Sequence, residues 1–216
     1  MLWQITSLAL VDAVNPCTLA VQAMLLGALL LTKGRREAIV AGILFTFTIF
    51  LMYLLYGLGI LQIIYALGIE KVIEILLKLL LLVMVVVELN AYFNYRPGMV
   101  SMEMPMVLRP FAKRTIGAVS NPVMAVPVAA LCSVLLLPCS SGPYVAALMI
   151  LARYSIARKI LFLLYYCAIF VLPMLIITGI VAVGTSPEKV MEWRNKHIKE
   201  LHLVAGILLL SVLLLL

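Results

Sequence analysis

Residues 137–144 read LPCSSGPY, Leu137 to Tyr144, in the middle of a long apolar run. Two prolines, a glycine, two serines and a cysteine sit badly in a continuous membrane helix, because proline removes a backbone donor and clashes with the carbonyl four residues back. Pro138 acts in this way on Val134, and Pro143 on Cys139. In hydrocarbon a freed carbonyl is tolerable only where it faces protein or water. The stretch therefore predicts a membrane span that is broken, with its break turned inward.

The rest of the chain supports a membrane setting. Of 216 residues, 66% are hydrophobic and 12% charged, and the mean hydropathy is +1.22, far from the composition of a soluble globular domain. Apolar stretches long enough to cross about 30 Å of hydrocarbon recur six times, near residues 3–31, 38–60, 72–92, 123–152, 159–184 and 200–216. An all-α integral membrane protein of six transmembrane helices is expected, since backbone groups in lipid must be paired within the segment. No ten-residue units of period two occur to suggest a barrel.

The formal charge of +7 belongs to short loops rather than to a basic patch interleaved with aromatics, so nucleic acid is not an expected partner. The loops at 32–37, 93–122 and 185–199 hold Lys33, Arg35, Arg36, Arg96, Arg109, Lys113, Arg114, Lys189, Arg194, Lys196 and Lys199. The opposite loops hold Lys71, Arg153, Arg158 and Lys159, with Lys78 inside a span. By the positive-inside rule the richer side is cytoplasmic and both termini are extracytoplasmic, in a multi-pass protein of the plasma (inner) membrane. The first eleven residues contain no Lys or Arg, which argues against a cleaved signal peptide.

The chain reads as one membrane domain, 1–216, written twice. Residues 1–92 form a first three-helix repeat, 93–121 a cytoplasmic linker with Pro97, Pro105 and Pro110, and 122–216 a second repeat. Pro16-Cys17 lies midway along the first span and Pro138-Cys139 midway along the fourth. Arg35 follows Cys17 by 18 residues, and Arg158 follows Cys139 by 19. A unit with an odd number of crossings must re-enter from the other face, so the halves are expected to be inverted, with a working site where broken helices meet near the midplane. Similar hydrophobicity alone would also give helices a family likeness.

At Asn15-Pro16-Cys17, Asn is a favoured helix cap and Pro a favoured first helical residue, so Cys17 is expected near the positive end of a helix dipole, which favours thiolate. In the fourth span Ser141 or Gly142 is the cap and Pro143 the first helical residue, leaving Cys139 just before. Ala13 and Ala20 beside Cys17, and Gly142 and Ala146 beside Cys139, permit the close backbone approach that a disulfide needs. The plainer reading is that Cys is small apolar filler and that Pro is tolerated in membrane helices. For Cys132 and Cys167, which lack an adjacent proline, filler is the expectation.

Asp12 lies one turn before Pro16, either as a proton acceptor for Cys17 or as a solvated interfacial group; intramembrane carboxylates are costly and usually functional. Glu88 is expected at the inner interface, and Lys78 is expected to pair with Glu74 and snorkel outward. The twelve methionines show no Met-x-x-Met clustering, and His197 and His202 flank the last span without requiring a metal. Gly57, Gly59, Gly68, Pro173, Gly179 and Gly184 are hinge candidates.

With these residues the chain resembles the CcdA family of cytochrome c biogenesis proteins and the membrane domain of DsbD, over nearly its whole length. Pro138-Cys139-Ser140-Ser141-Gly142-Pro143 is similar to the family's second motif and Asn15-Pro16-Cys17 to its first. Ala20 stands where family members usually carry another proline. The resemblance implies a transmembrane electron transporter rather than a conventional enzyme. It implies that Cys17 and Cys139 form the redox pair, reduced by cytoplasmic thioredoxin and oxidised by an extracytoplasmic thioredoxin-like acceptor, in support of cytochrome c maturation. Thiol–disulfide exchange needs no metal, flavin or other cofactor. The alternative, a small-solute or metal-ion exporter on an inverted-repeat fold, calls for a polar cavity that the intramembrane residues scarcely supply. A third, a membrane scaffold, leaves the paired motifs as coincidence.

Overall fold

The computed structural model describes residues 2–14, 16–67, 70–94, 114, 119, 121–185 and 187–214; within its helices, the side chains of 16–17, 64–67, 70–74, 77, 94, 136–141, 188, 190–191 and 194 lie outside the description. Among the described residues all regular structure is helical: α1 (Leu2–Ala13), α2 (Pro16–Thr32), α3 (Arg35–Leu67), α4 (Glu70–Asn94), a 3₁₀ turn (Pro122–Met124), α5 (Ala125–Ala152), α6 (Ile156–Ala182), α7 (Pro187–Lys196) and α8 (Ile198–Leu214).

The surface explains the composition. On one side of α3, Phe45, Ile49 and Tyr53 are buried, while Ile43, Phe47, Leu51 and Leu55 on the other are 43–62% exposed. A helix apolar all round belongs in a large core or a membrane. Arg35–Ile63 and Ile156–Ala182 are long and apolar enough to cross a bilayer, and Leu2–Ala13 with Thr18–Thr32 qualifies as a third, bent span. The fold is thus compatible with a membrane protein.

The first apolar stretch is broken as its sequence predicts. The segments Leu2–Ala13 and Thr18–Thr32 meet at 44°, and α2 begins at Pro16, which has no amide hydrogen to leave orphaned at a helix start. At its other end the amides of Lys33 and Gly34 both donate to the carbonyl of Leu29, at 2.8 and 3.1 Å. Gly34 takes φ +92° there, a conformation that glycine reaches without steric cost.

The break predicted in the fourth stretch is not found: the backbone stays helical from Ala125 to Ala152, across Pro138 and Pro143. Proline is tolerated in membrane helices where neighbouring helices and small local adjustments absorb the lost hydrogen bond. Gly142, which has no side chain, lets Met84 of α4 lie directly against α5 at this level. The segment 185–199, read as a loop, contains α7; hydropathy overlooks it because PEKVMEWRNK is polar, although Pro187 stands at a favoured first position.

α3 lies centrally, packed on α5 and α6, while α4 packs on α8. α1 touches α5, α6 and α8, and α2 touches α3, α6 and α7. At the centre of the bundle the rings of Tyr53 and Phe170 stack with centroids 4.5 Å apart, and Tyr144 meets Tyr53 edge-on at 5.3 Å. The Arg35 guanidinium lies beside Gly184, 3.4 Å from where a Cβ there would sit, so the α2–α3 turn and the end of α6 lie at one end of the bundle.

Candidate functional site

The motif cysteines occupy helices that meet. Cys17 falls in the first turn of α2 and Cys139 midway along α5, and the first broken span touches α5 through α1. The side chains of Pro16, Cys17, Pro138, Cys139 and Ser141, and the whole of Asn15, lie outside the described residues. Pro143 is buried and Gly142 half-buried. Cys132 and Cys167 are free thiols, wholly buried, as filler residues would be.

Asp12 is the carboxylate nearest the first motif in sequence, and it is not solvated. It is fully buried at the end of α1, where Tyr166 of α6 donates a hydrogen bond to Oδ2 at 3.0 Å. Tyr166 in turn packs on Tyr144, with ring centroids 5.6 Å apart, and the Tyr144 hydroxyl donates to the carbonyl of Tyr53. A buried carboxyl held by a phenol, five residues before Cys17, is a group able to take or return a proton. Tyr56 and Ser133 add a hydroxyl pair at 2.9 Å between α3 and α5.

A second polar cluster lies further along α2. Gln22, fully buried, donates through Nε2 to Thr178 Oγ1 of α6 at 2.8 Å and, at greater length, to the carbonyl of Gly42 at 3.4 Å. The Thr178 hydroxyl in turn donates a hydrogen bond to the carbonyl of Met174 at 2.9 Å. Neither Gln22 nor Tyr144 stands out in sequence as a site residue. The available signal is that each polar side chain follows its motif cysteine by five residues.

Glu88 makes a contact that its sequence does not announce. It is only 1% exposed, and its Oε2 lies 2.7 Å from Nδ1 of His202, itself 2% exposed. The two join α4 to α8, and no periodicity in either segment announces a pairing 114 residues apart. Lys78 is exposed, as snorkelling requires, while the side chain of its expected partner Glu74 lies outside the described residues.

The glycine candidates divide. Gly57 faces the Tyr144 hydroxyl and the methyls of Leu163, so it is a packing contact; Gly59 and Gly179 face open space. Gly184 takes φ +113° just after α6. Pro173 stays inside continuous helix, and Gly68 lies outside the described residues.

A cavity of about 440 Å³ abuts the break, lined by Ala13, Val14 and Leu19 together with Pro173, Lys189 and Trp193. Among the described residues no group of three or more His, Cys, Asp and Glu side chains is placed to hold a metal ion. Comparison with protein-family models, with curated proteins and with solved structures returned no match.

Proposed function

We propose that the protein is a six-span, inverted-repeat carrier of reducing equivalents in the cell membrane, with both termini extracytoplasmic, working by thiol–disulfide exchange at Cys17 and Cys139. The observation that carries this reading is the placing of both Pro-Cys sites on packed helices, one at a helix break. The pattern of contacts supports the repeat. Exchanging the halves turns the contact of α5 with α3 into that of α1 and α2 with α6, and the contact of α4 with α5 into that of α8 with α1. The α3–α6, α4–α8 and α1–α5 contacts map onto themselves.

In the proposed cycle a thiolate of reduced thioredoxin attacks one sulfur of the Cys17–Cys139 disulfide. The mixed disulfide is resolved by thioredoxin's second thiolate, so two electrons and two protons leave thioredoxin and a dithiol remains in the membrane. An extracytoplasmic thioredoxin-like disulfide reverses these steps, in cytochrome c maturation. Asp12, hydrogen-bonded to Tyr166, is the proposed acceptor for the proton of Cys17.

The test is thiol alkylation with mass readout on purified protein before and after exposure to reduced thioredoxin. Cys17 and Cys139 are expected to be protected together in the oxidised form and alkylated after reduction. Cys17→Ser and Cys139→Ser should each abolish transfer, while Cys132→Ala and Cys167→Ala retain it. Alkylation of either motif cysteine before reduction, or no response to thioredoxin, would refute the carrier.

A further inference from the structure

Gln22 and Tyr144 stand at the same offset from the two motif cysteines, and each reaches out of its own half. Gln22 follows Cys17 by five residues on α2 and donates to Thr178 on α6, the second long helix of the other half, at 2.8 Å. Tyr144 follows Cys139 by five residues on α5 and donates to the backbone of Tyr53 on α3, the helix that follows the broken span of the first half. Both side chains are buried, at 0% and 1% exposure. A five-residue step along a helix is about 7.5 Å, so each polar tip ties down the turns that follow its cysteine.

Each contact is admitted by a glycine of α3. A methyl group on Gly42 would lie 2.8 Å from Thr178 Oγ1, in the space through which Gln22 reaches its partner. A methyl group on Gly57 would crowd the Tyr144 hydroxyl. The Gln22 carbonyl Oε1 has no hydrogen-bond partner among the described residues, so this side chain has an acceptor in reserve for a different arrangement of the helices.

We infer that Gln22 and Tyr144 are a matched pair of positioning residues, each fixing the helix of one motif cysteine against the opposite half and so setting the face from which that cysteine is reached. The inference rests on the carrier reading for the choice of cysteines, and it goes beyond that reading in assigning their presentation to two polar contacts. In apolar surroundings hydrophobicity does not hold helix to helix, and a polar contact of this kind sets registry.

The experiment uses full-length protein in lipid vesicles, chemically reduced, and alkylated from either face with a membrane-impermeant maleimide, with the rate at each cysteine read by mass. Gln22→Met is expected to change the rate at Cys17 by about threefold or more, the worth of one average interhelical hydrogen bond, and to change Cys139 less. Tyr144→Phe is expected to do the reverse, and Cys132 and Cys167 stay at the parent rate in both. Rates unchanged within a factor of about 1.5, no labelling of either motif cysteine, or acceleration at all four cysteines together would overturn the inference.

Should Gln22→Met fold poorly, Thr178→Val removes the same bond from the other half and should shift Cys17 alike. The double variant should shift it no further, whereas additive shifts would show that the two residues act separately. Labelling reads helix position and not electron transfer, so a protein that ignores thioredoxin defeats the carrier reading while leaving this pattern to be judged alone.

Discussion

His202→Leu removes one member of a deeply buried ionisable contact between α4 and α8. The imidazole approaches Glu88 to 2.7 Å with both side chains 1–2% exposed, and the helices pack closely beside them. A methyl group on Gly206 would sit 3.0 Å from Leu89 and 3.6 Å from Cβ of Glu88. Little room is left for water to replace the imidazole. Removing one partner of such a pair typically costs about 3–5 kcal/mol, whereas replacing both by apolar residues of similar volume is often close to neutral. The expected order of stability in an SDS titration of mixed micelles is therefore parent ≈ Glu88→Leu/His202→Leu > His202→Leu. A coupling of about 2 kcal/mol or more should appear in the cycle completed by Glu88→Leu. If the double variant loses as much as the two single variants combined, the pair does not act as a unit and the reasoning fails.

Two further outcomes follow from the packing. Gly57→Ala should destabilise by about 1–3 kcal/mol by overpacking against Leu163, whose methyls lie 2.8 Å from the added carbon; Gly59→Ala, with nothing within 4 Å, should stabilise α3 by up to about 1 kcal/mol, both read in the same titration. Asp12→Asn should slow reoxidation of the reduced protein by a thioredoxin-like disulfide at least tenfold, since a positioned general base contributes about 10²–10⁴-fold. Its fold should be kept, because an amide still accepts from Tyr166 at 3.0 Å, and a variant that transfers electrons at the parent rate removes Asp12 from the mechanism.

Hydropathy located the helices because it measures what lipid demands, and α3, α5, α6 and α8 fall where apolar runs fall. It stops short at their ends: α3 extends to Leu67, past the apolar run near residue 60. α7 escapes it altogether. Proline chemistry located the break before Pro16 but misplaced one in α5, because the donors missing at Pro138 and Pro143 can be absorbed when Met84 and other neighbours pack against the helix. The side-chain contacts were mostly illegible. Asp12–Tyr166 and Glu88–His202 join residues 154 and 114 positions apart, and only the tertiary arrangement of helices decides which polar groups in an apolar chain meet.

That arrangement has a common feature. Gln22 with Thr178, Tyr144 with Tyr53, Tyr166 with Asp12, Tyr56 with Ser133, and His202 with Glu88 each join residues before the linker to residues after it. Apolar side chains meet lipid as readily as one another, so burial fixes the seam between halves only loosely and polar contacts select its registry. Each such bond is worth about 0.6 kcal/mol on average in membrane helices, so exchanging two or three of them costs about 1–2 kcal/mol. In the proposed carrier, a second arrangement at that cost would be populated at the level of several per cent or more, enough for a partner on the far side to draw upon. A seam of many weak polar contacts therefore suits the proposed presentation of one dithiol to two faces better than a seam of interlocked apolar side chains, whose displacement would open voids costing several kcal/mol each.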